Sequence, residues 1–182
     1  MENKEKEILE AAEKMVREGG YNAFSFRDIA NAVGIKSSSV HYYFSTKEEL
    51  GAAVAEYYTD KFIAILGDPK SLAQNKKDPI KIYIKAFKDA LTKDKRMCLC
   101  GLLGAEVNGL PPQVAAQTKI FFERNIAWLT EAYTLKNGKK GAKEKAVQTL
   151  SLLEGAMITS NVLEHPKSFD KAIPLIVNCK EK

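Results

Sequence analysis

The chain has 182 residues, of which 45% are hydrophobic and 28% charged, with three cysteines and a formal net charge of +5. This composition is typical of a globular domain and argues against a disordered chain or a chain stabilised by a framework of disulfides. No apolar run reaches the roughly 18 residues that a membrane-spanning helix needs, and the charged N-terminus is unlike a signal peptide. We therefore expect a cytoplasmic protein without membrane contact.

The positive charge is unevenly distributed. Residues 1–60 carry seven basic and eleven acidic side chains, whereas residues 61–182 carry twenty-one and twelve. Between residues 20 and 47, however, three basic side chains stand against one acidic one. The overall charge is therefore weak evidence for nucleic-acid binding, and the placement of individual charges has to carry that argument.

The first two predicted helices have clear boundaries. Residues 2–18 repeat apolar positions with a helical period, and Gly19-Gly20 is a typical helix end. A second helix is predicted to begin at Ser25, with Asp28 three residues later in the spacing of a capping box. The sequence thus predicts a long helix followed by a short, well-capped one.

A tight turn and two more helix starts follow. Gly34 is suited to the turn after the second helix, and we expect Ser37 to cap a third, short helix. Thr46, followed by Glu49, predicts the cap of a fourth helix over residues 47–66. Two short helices across a glycine turn predict a helix-turn-helix.

The remainder also has only helical patterning. Residues 67–78 predict a break followed by a polar loop, and no segment shows the alternation of a strand. Further helices are predicted over residues 79–91, 97–107, 112–135, 142–164 and 168–177. The predicted fold is all-α, with about nine helices.

The third helix has two chemically different faces. With Val40 placed inward, Tyr43 and Phe44 lie within about 60° of it, and Ser38 and Tyr42 point the opposite way. Ser39 and His41 flank this outward face. Hydroxyl and imidazole groups on a narrow helix can reach base edges and phosphates in a major groove.

Two basic residues lie where phosphate contacts would help. Arg27 is in the first turn of the second helix, and Lys47 is at the start of the fourth, where the helix dipole also favours an anion. Individually, the serines could form only a loop, the aromatic residues only a core, and Lys47 only a solvated charge. Their combination with two helix caps and a glycine turn favours a DNA-binding helix-turn-helix.

Over about residues 5–60 the sequence resembles the TetR family of transcriptional repressors. The residues that carry the resemblance are Ala11-Ala12, Gly19 or Gly20, Phe24, Ser25, Asp28-Ile29-Ala30, Val33-Gly34-Ile35, Val40, Tyr42-Tyr43-Phe44, Lys47-Glu48 and Leu50. His41 departs from the pattern, since many members carry Tyr there, and its role is either base contact or packing.

The resemblance implies an all-helical homodimer that binds a palindromic DNA operator. It implies a DNA-binding domain over residues 1–50, linked by the helix over residues 47–66 to an effector-binding and dimerisation domain over residues 51–182. It also implies a repressor that a small molecule or an electrophile releases from DNA. The expected DNA contacts are Arg27, Ser37, Ser38, Ser39, His41, Tyr42, Tyr43 and Lys47.

The C-terminal part supplies candidates for the effector site and the dimer interface. Aromatic and soft side chains on facing helices suit an apolar pocket, although the alternative for each is that it simply fills a packed core. The pocket candidates are Tyr83, Phe87, Met97, Cys98, Leu102, Phe121, Phe122, Asn125, Trp128 and Met157. The interface candidates, on the last two predicted helices, are Val147, Leu150, Leu153, Met157, Phe169, Ile173 and Ile176.

Cys98 and Cys100 are a separate feature. Two positions apart on a helix, they point about 200° apart, which suits neither an internal disulfide nor a shared metal. The segment CLCGLLGAEVNGLPPQV is similar to regulators that sense electrophiles, oxidants or unsaturated acids, with Cys98 at the matching position. Lys95 and Arg96 could favour its thiolate; alternatively, both cysteines are structural.

Other functions have less support. His41 and His165 are the two histidines, and no catalytic array, phosphate loop or metal-binding spacing accompanies them. We therefore expect no enzyme activity, no cofactor and no metal. A helical protein-binding adaptor or a DNA-binding protein without a regulatory role remains the alternative, and salt dependence of binding would separate an adaptor from a DNA-binding protein.

Overall fold

The computed structural model describes residues 3–177, and within that range the protein is helical without a strand. Its α-helices are α1 Asn3–Gly19, α2 Phe26–Val33, α3 Ser37–Tyr43, α4 Lys47–Leu66, α5 Pro69–Gln74, α6 Pro79–Thr92, α7 Leu99–Ala105, α8 Pro112–Asn137, α9 Ala142–Val162, α10 Lys167–Asp170 and α11 Ile173–Val177. Short 3₁₀ turns cover Tyr21–Ala23 and Val107–Gly109. The predicted all-α fold with an N-terminal helix-turn-helix is confirmed, and nine of the described helices have six or more residues.

Two details differ from the sequence-based expectation. The segment expected to be a polar loop begins with a short helix, α5, because Pro69 suits the first helical turn and the Asp68 carboxylate accepts from the Ser71 N–H at 2.8 Å. The last predicted helix is divided into α10 and α11. Short helices of this kind depend on caps and packing that a periodicity search does not detect.

By backbone proximity, the chain forms two compact units. The first comprises the residues up to Phe62 together with Leu99–Phe122, and the second comprises Ile63–Cys98 and the residues from Glu123 onward. The division falls inside α4 and inside α8. The predicted division at residue 50 is one of function rather than of packing, and it stays a prediction.

Apolar faces of short helices build the core of the first unit. Ile8, Leu9 and Ile29 are fully or almost fully buried, as are Val40 on α3 and Leu50 on α4. Burying a side chain of this size contributes roughly 1.5–3 kcal/mol. This core fixes the orientation of α2 and α3.

A second cluster in the first unit joins α4 to the first half of α8. The rings of Tyr58 and Phe62 each lie 5.8 Å from the ring of Phe121. Beside them, the buried Glu13 carboxylate accepts hydrogen bonds from Arg17 at 3.3 Å and from Lys61 at 2.5 Å. A shared carboxylate thus ties α1 to α4.

The second unit is organised around α6, α8 and α9. Tyr83, Phe87, Leu129, Leu153 and Met157 are buried in its core. Ion pairs at its surface join α6 to α10 and the start of α6 to the end of α8, through Lys88–Asp170 at 2.6 Å and Lys136–Asp78 at 2.9 Å. Within residues 3–177, no helix is both long enough and apolar enough to cross a membrane.

Candidate nucleic-acid interface

The sequence around α2 specifies its two ends locally. Ser25 and Asp28 form a reciprocal capping box: the Asp28 N–H donates to Ser25 Oγ at 3.3 Å, and the Ser25 N–H donates to Asp28 Oδ2 at 3.0 Å. Gly34 ends the helix in the left-handed region with φ 72°, where a side chain would be strained. The chain can therefore turn directly from α2 into α3.

Helix α3 presents the two faces that its sequence predicts. Val40 is fully buried and Phe44, just after the helix, is 4% exposed, whereas 81% of the Tyr42 side chain is exposed. Ser37 and Ser38 are exposed, and Ser39 and Tyr43 are half-buried. Tyr42 and Tyr43 meet edge to face at 5.1 Å, which gives the outward tyrosine a fixed neighbour.

One predicted cap is wrong. Ser37 is the first residue of α3 rather than its cap; Lys36 occupies the capping position, and no side chain caps the helix there. The hydroxyl of Ser37 is therefore not required for that role. It lies exposed at the N-terminal end of α3, where positive helix-end character favours a phosphate.

His41 packs against α2. Its ring lies 4.4 Å from the ring of Phe26 in an edge arrangement, although the residue as a whole is exposed. The contact supports a packing role, which was one of the two roles left open by the sequence. With His41 packed against α2, Ser38 and Tyr42 still form the outward face of α3.

Lys47, the first residue of α4, is held over two aromatic rings. Its Nζ lies 4.8 Å from the ring centre of Tyr21 and 4.8 Å from that of Phe24. Such cation–π contacts restrict a lysine that would otherwise be mobile. Two of the N–H groups nearby already have partners, since Thr46 Oγ1 accepts from the Glu49 N–H and the Glu49 carboxylate accepts from the Ser45 N–H. Lys47 itself, rather than the end of α4, is thus the better candidate for a phosphate contact.

Glu106 supports this aromatic pair, and sequence reasoning missed it. Its carboxylate accepts from the Tyr21 N–H at 3.0 Å and so holds the 3₁₀ turn that carries the ring of Tyr21. A Cβ at Gly20 would lie 2.0 Å from Glu106 Oε1, so the contact requires glycine there. The two partners are 85 residues apart, and no local pattern could have revealed them.

Arg27 lies exposed in the first turn of α2, as expected. Together with α3 and Lys47 it belongs to the first unit. All eight predicted DNA-contact residues therefore lie in this unit, and each has at least part of its surface accessible.

The predicted effector-site residues divide between the two units. Leu102, Phe121 and Phe122 belong to the first unit and the other seven to the second. In the second unit, the Tyr83 hydroxyl donates to Asn125 Oδ1 at 2.7 Å, and the ring of Tyr83 lies 5.5 Å from that of Trp128. These side chains form one aromatic and polar cluster, and Tyr83, Phe87 and Asn125 are 2% exposed or less.

Glu154 belongs to the same part of the second unit and was not predicted. It is 8% exposed, and neither carboxyl oxygen has a hydrogen-bond partner among the described residues. Burial raises the pKa of Glu154 to about 7, and a weak interaction with the Cys98 thiol lowers it only in part. The pKa of Tyr83 is also raised, first by burial and then by the charge of Glu154. Glu154 is therefore close enough to Tyr83 and Cys98 to affect both.

Both cysteines within the described residues are buried. Cys98 is 2% exposed and Cys100 is fully buried, and neither forms a disulfide. The expectation that Lys95 and Arg96 favour a thiolate at Cys98 stays a prediction. Among the described residues, no cluster of His, Cys, Asp or Glu is arranged to hold a metal ion.

Most of the predicted interface residues lie in the core of the single chain. Leu150, Leu153, Met157, Phe169 and Ile176 are 7% exposed or less, so they have little surface to offer a partner. Val147 is exposed and Ile173 is half-buried. The apolar side chains that remain exposed on α9 and beyond are Val147, Ile158, Val162, Leu163, Leu175 and Val177.

This helix-turn-helix matches a known family. Residues 8–54 match the family described as bacterial regulatory proteins, tetR family. The crystal structure of a TetR transcriptional regulator from Legionella pneumophila is 32% identical in sequence and aligns over 100% of this chain and 99% of that one, with a TM-score of 0.87. The chain therefore belongs to the TetR family and is a DNA-binding transcriptional regulator.

Two curated relatives are similar over shorter regions. The uncharacterized HTH-type transcriptional regulator YuxN of Bacillus subtilis is 39% identical over 61 residues, which are 34% of this chain and 21% of that protein. The HTH-type transcriptional activator FasR of Mycolicibacterium smegmatis is 26% identical over 117 residues, 64% of this chain and 52% of that protein. The chain thus spans between about a fifth and half of the length of these relatives. FasR is named an activator, so family membership alone does not fix the direction of regulation.

Proposed function

We propose that the protein is a repressor that binds a palindromic operator as a homodimer and is released by a small molecule bound in the second unit. The observation that carries the DNA-binding mode is the outward face of α3, where Tyr42 is 81% exposed beside the fully buried Val40. A large exposed tyrosine, on a helix whose opposite face is packed into the core, is suited to insertion into a major groove.

The electrostatic part of the proposed interface is small and local. Arg27 and Lys47 lie near the two ends of the helix-turn-helix, and the rings of Tyr21 and Phe24 hold Lys47 in place. Phosphate contacts of this kind position a reading helix, whereas base contacts from α3 supply sequence selectivity. Both kinds of contact would come from the first unit.

The operator should be isolated by selecting genomic fragments with the purified protein, followed by gel shifts with the fragment recovered. Tyr42→Ala is expected to weaken operator binding at least tenfold, because it removes the most exposed side chain of α3. Ile65→Ala, which truncates a 66% exposed side chain on α4, is the matched control and should bind as the wild type does. Unchanged binding by Tyr42→Ala would reject the proposed reading helix.

Salt dependence tests whether the partner is DNA or a protein. Each phosphate contact contributes about 0.9 to the slope of log affinity against log salt. Lys47→Gln should therefore reduce the slope by about one without relaxing sequence selectivity. A binding constant that is insensitive to salt would favour a protein-binding adaptor.

The proposed dimer uses the exposed apolar face of α9. Val147, Ser151, Gly155, Ile158 and Val162 lie within about 80° of one another around the helix, and a Cβ at Gly155 would meet no atom within 4 Å apart from the adjacent residues and the backbone of its own helix. A small residue in an apolar stripe lets a second helix approach closely, and a symmetric copy would present the same stripe. These exposed residues take the place of the predicted interface residues Leu150, Leu153 and Met157, which are buried in the core of the chain itself.

Light scattering of the full chain tests this interface. Ile158→Asp is expected to shift the protein from dimer to monomer and to weaken operator binding, because a charge would be buried at the contact. Ile65→Asp on α4 should leave the dimer intact. A dimer that is unaffected by Ile158→Asp would place the interface elsewhere.

Repression itself requires a measurement in cells. Deleting the gene should raise expression from a promoter that overlaps the selected operator. Lower expression after deletion would instead assign an activating role, as the name of FasR states for that relative.

A further inference from the structure

The core of the second unit contains a carboxyl group without a hydrogen-bond partner. Glu154 lies on α9 and is 8% exposed, and both of its carboxyl oxygens are unpaired among the described residues. An unpaired polar group inside a protein typically costs about 1–3 kcal/mol. A structural role gives no reason to keep an acid there, since a Met of similar length would avoid that cost.

The groups around Glu154 do not supply the missing donor. The Tyr83 hydroxyl donates to Asn125 Oδ1 at 2.7 Å, and the Trp128 indole N–H donates to the Gly67 carbonyl at 2.7 Å. The Cys98 thiol is a weak donor and compensates for burial only in part. The carboxyl oxygens therefore keep the capacity to accept hydrogen bonds from a further donor.

The charge of Glu154 raises the pKa of Tyr83, whose ring belongs to an aromatic cluster in the same unit. The centre of the Tyr83 ring lies 5.3 Å from that of the Phe87 ring and 5.5 Å from that of the Trp128 ring. The hydrogen bonds of Tyr83 and Trp128 fix the orientation of both rings. Aromatic faces attract cations, and a carboxylate both pairs with a cation and accepts hydrogen bonds from it.

We infer that Glu154, with the rings of Tyr83, Phe87 and Trp128, forms a binding site for a small organic cation, such as a protonated amine on an apolar body. This inference deepens the proposed function, because it names the chemical class of the effector expected in the second unit. An ammonium group supplies the N–H donors that Glu154 lacks, while the apolar body packs against the rings. A carboxylate effector would instead be repelled by the ionised acid.

Binding should be measured with the full chain in the absence of DNA, by calorimetry and by thermal unfolding. The probes are hexylamine and 2-phenylethylamine, each compared with the alcohol of the same skeleton, 1-hexanol and 2-phenylethanol. Wild-type protein is expected to bind at least one amine ten or more times more tightly than its alcohol. Equal affinity within both pairs, or no binding of either amine, would overturn the inference.

Substitution assigns the effect to Glu154. Glu154→Gln should remove the preference for the amine, because the neutral amide cannot form the charged pair. Glu144→Gln, which neutralises an exposed acid on the same helix, should keep it. If Glu154→Gln does not fold, Glu154→Met tests the same point with an apolar side chain of similar length. A preference for the amine that survives in the folded variant would overturn the inference.

The gel shift with the selected operator keeps the two hypotheses separate. Binding of DNA by the free protein, without any selective binding of amines, would leave the proposed function standing and reject the cation site. Selective amine binding that requires Glu154, in a protein that binds no genomic fragment, would support the site and reject the proposed regulator. Release of the operator by the amine in wild type, but not in Glu154→Gln, would support both.

Discussion

The polar side chains around α2 and α3 differ from those in the core of the second unit. In the first unit, polar residues around α2 and α3 are exposed or pair with residues three or four positions away, as in the Ser25–Asp28 capping box. In the core of the second unit, the buried Tyr83 pairs with Asn125, which is 42 residues away, and the buried Glu154 carboxyl oxygens have no hydrogen-bond partner among the described residues. This difference is the basis on which we propose an exposed DNA-binding surface in the first unit and an interior effector site in the second.

The largest expected effect concerns the buried acid. The pKa of Glu154 is raised from 4.5 to about 7 in the folded chain, so the folded state holds its proton more tightly than the unfolded state does. Stability is therefore lost as the pH rises from about 4.5 to about 7, by roughly 3 kcal/mol in total. Glu154→Gln removes this loss. Its stability relative to wild type should grow from near zero at pH 4 to about 3 kcal/mol at pH 8, as measured by urea unfolding.

Glu144→Gln is the control for this measurement, because its carboxyl group is exposed in the first turn of the same helix. Its difference from wild type should stay within about 0.5 kcal/mol at both pH values. A difference between Glu154→Gln and wild type that does not change with pH would mean that Glu154 titrates normally. The contrast between the two units would then lose its main support.

A smaller effect is expected at the contact that supports Lys47. Glu106→Ala removes the acceptor of the Tyr21 N–H, which should cost about 1–2 kcal/mol. It should also weaken operator binding and reduce its salt slope, because the rings under Lys47 lose their support. Glu106→Gln keeps an acceptor and serves as the control. Stability lost without a change in the salt slope would limit Glu106 to a structural role.

The smallest expected effect is a change in stability that distinguishes a helix-capping serine from a serine proposed to contact DNA, both in the first unit. Ser25→Ala breaks the capping box and should cost about 1 kcal/mol, as measured by thermal or urea unfolding. Ser38→Ala, on the exposed face of α3, should change stability by less than about 0.5 kcal/mol and yet weaken operator binding. The opposite pattern would exchange the roles of the two serines.

The predictions made from sequence succeeded where the interactions are local. The Ser25–Asp28 box, the turn at Gly34, the Thr46 cap and the inward position of Val40 each depend on residues within about four positions. The cap assigned to Ser37 failed, since Lys36 and Ser37 both fit the start of a helix and only the packing of α3 decides between them.

Helix α9 shows why periodicity was insufficient in the second unit. Its sequence has apolar residues on more than one side, and Leu150, Leu153 and Met157 were assigned to the dimer interface. The chain uses these residues for its own core and leaves Ile158 and Val162 exposed. Periodicity identifies an apolar stripe but does not say which neighbour covers it.

By itself, the sequence determined the helix-turn-helix, its caps and the side of α3 that faces outward, because short helices and turns depend on neighbouring residues. Only the tertiary structure brought Glu106 to the Tyr21 N–H across 85 residues and buried the Glu154 carboxyl oxygens without a hydrogen-bond partner among the described residues. Such contacts depend on how separate helices pack, and no spacing along the chain encodes that directly.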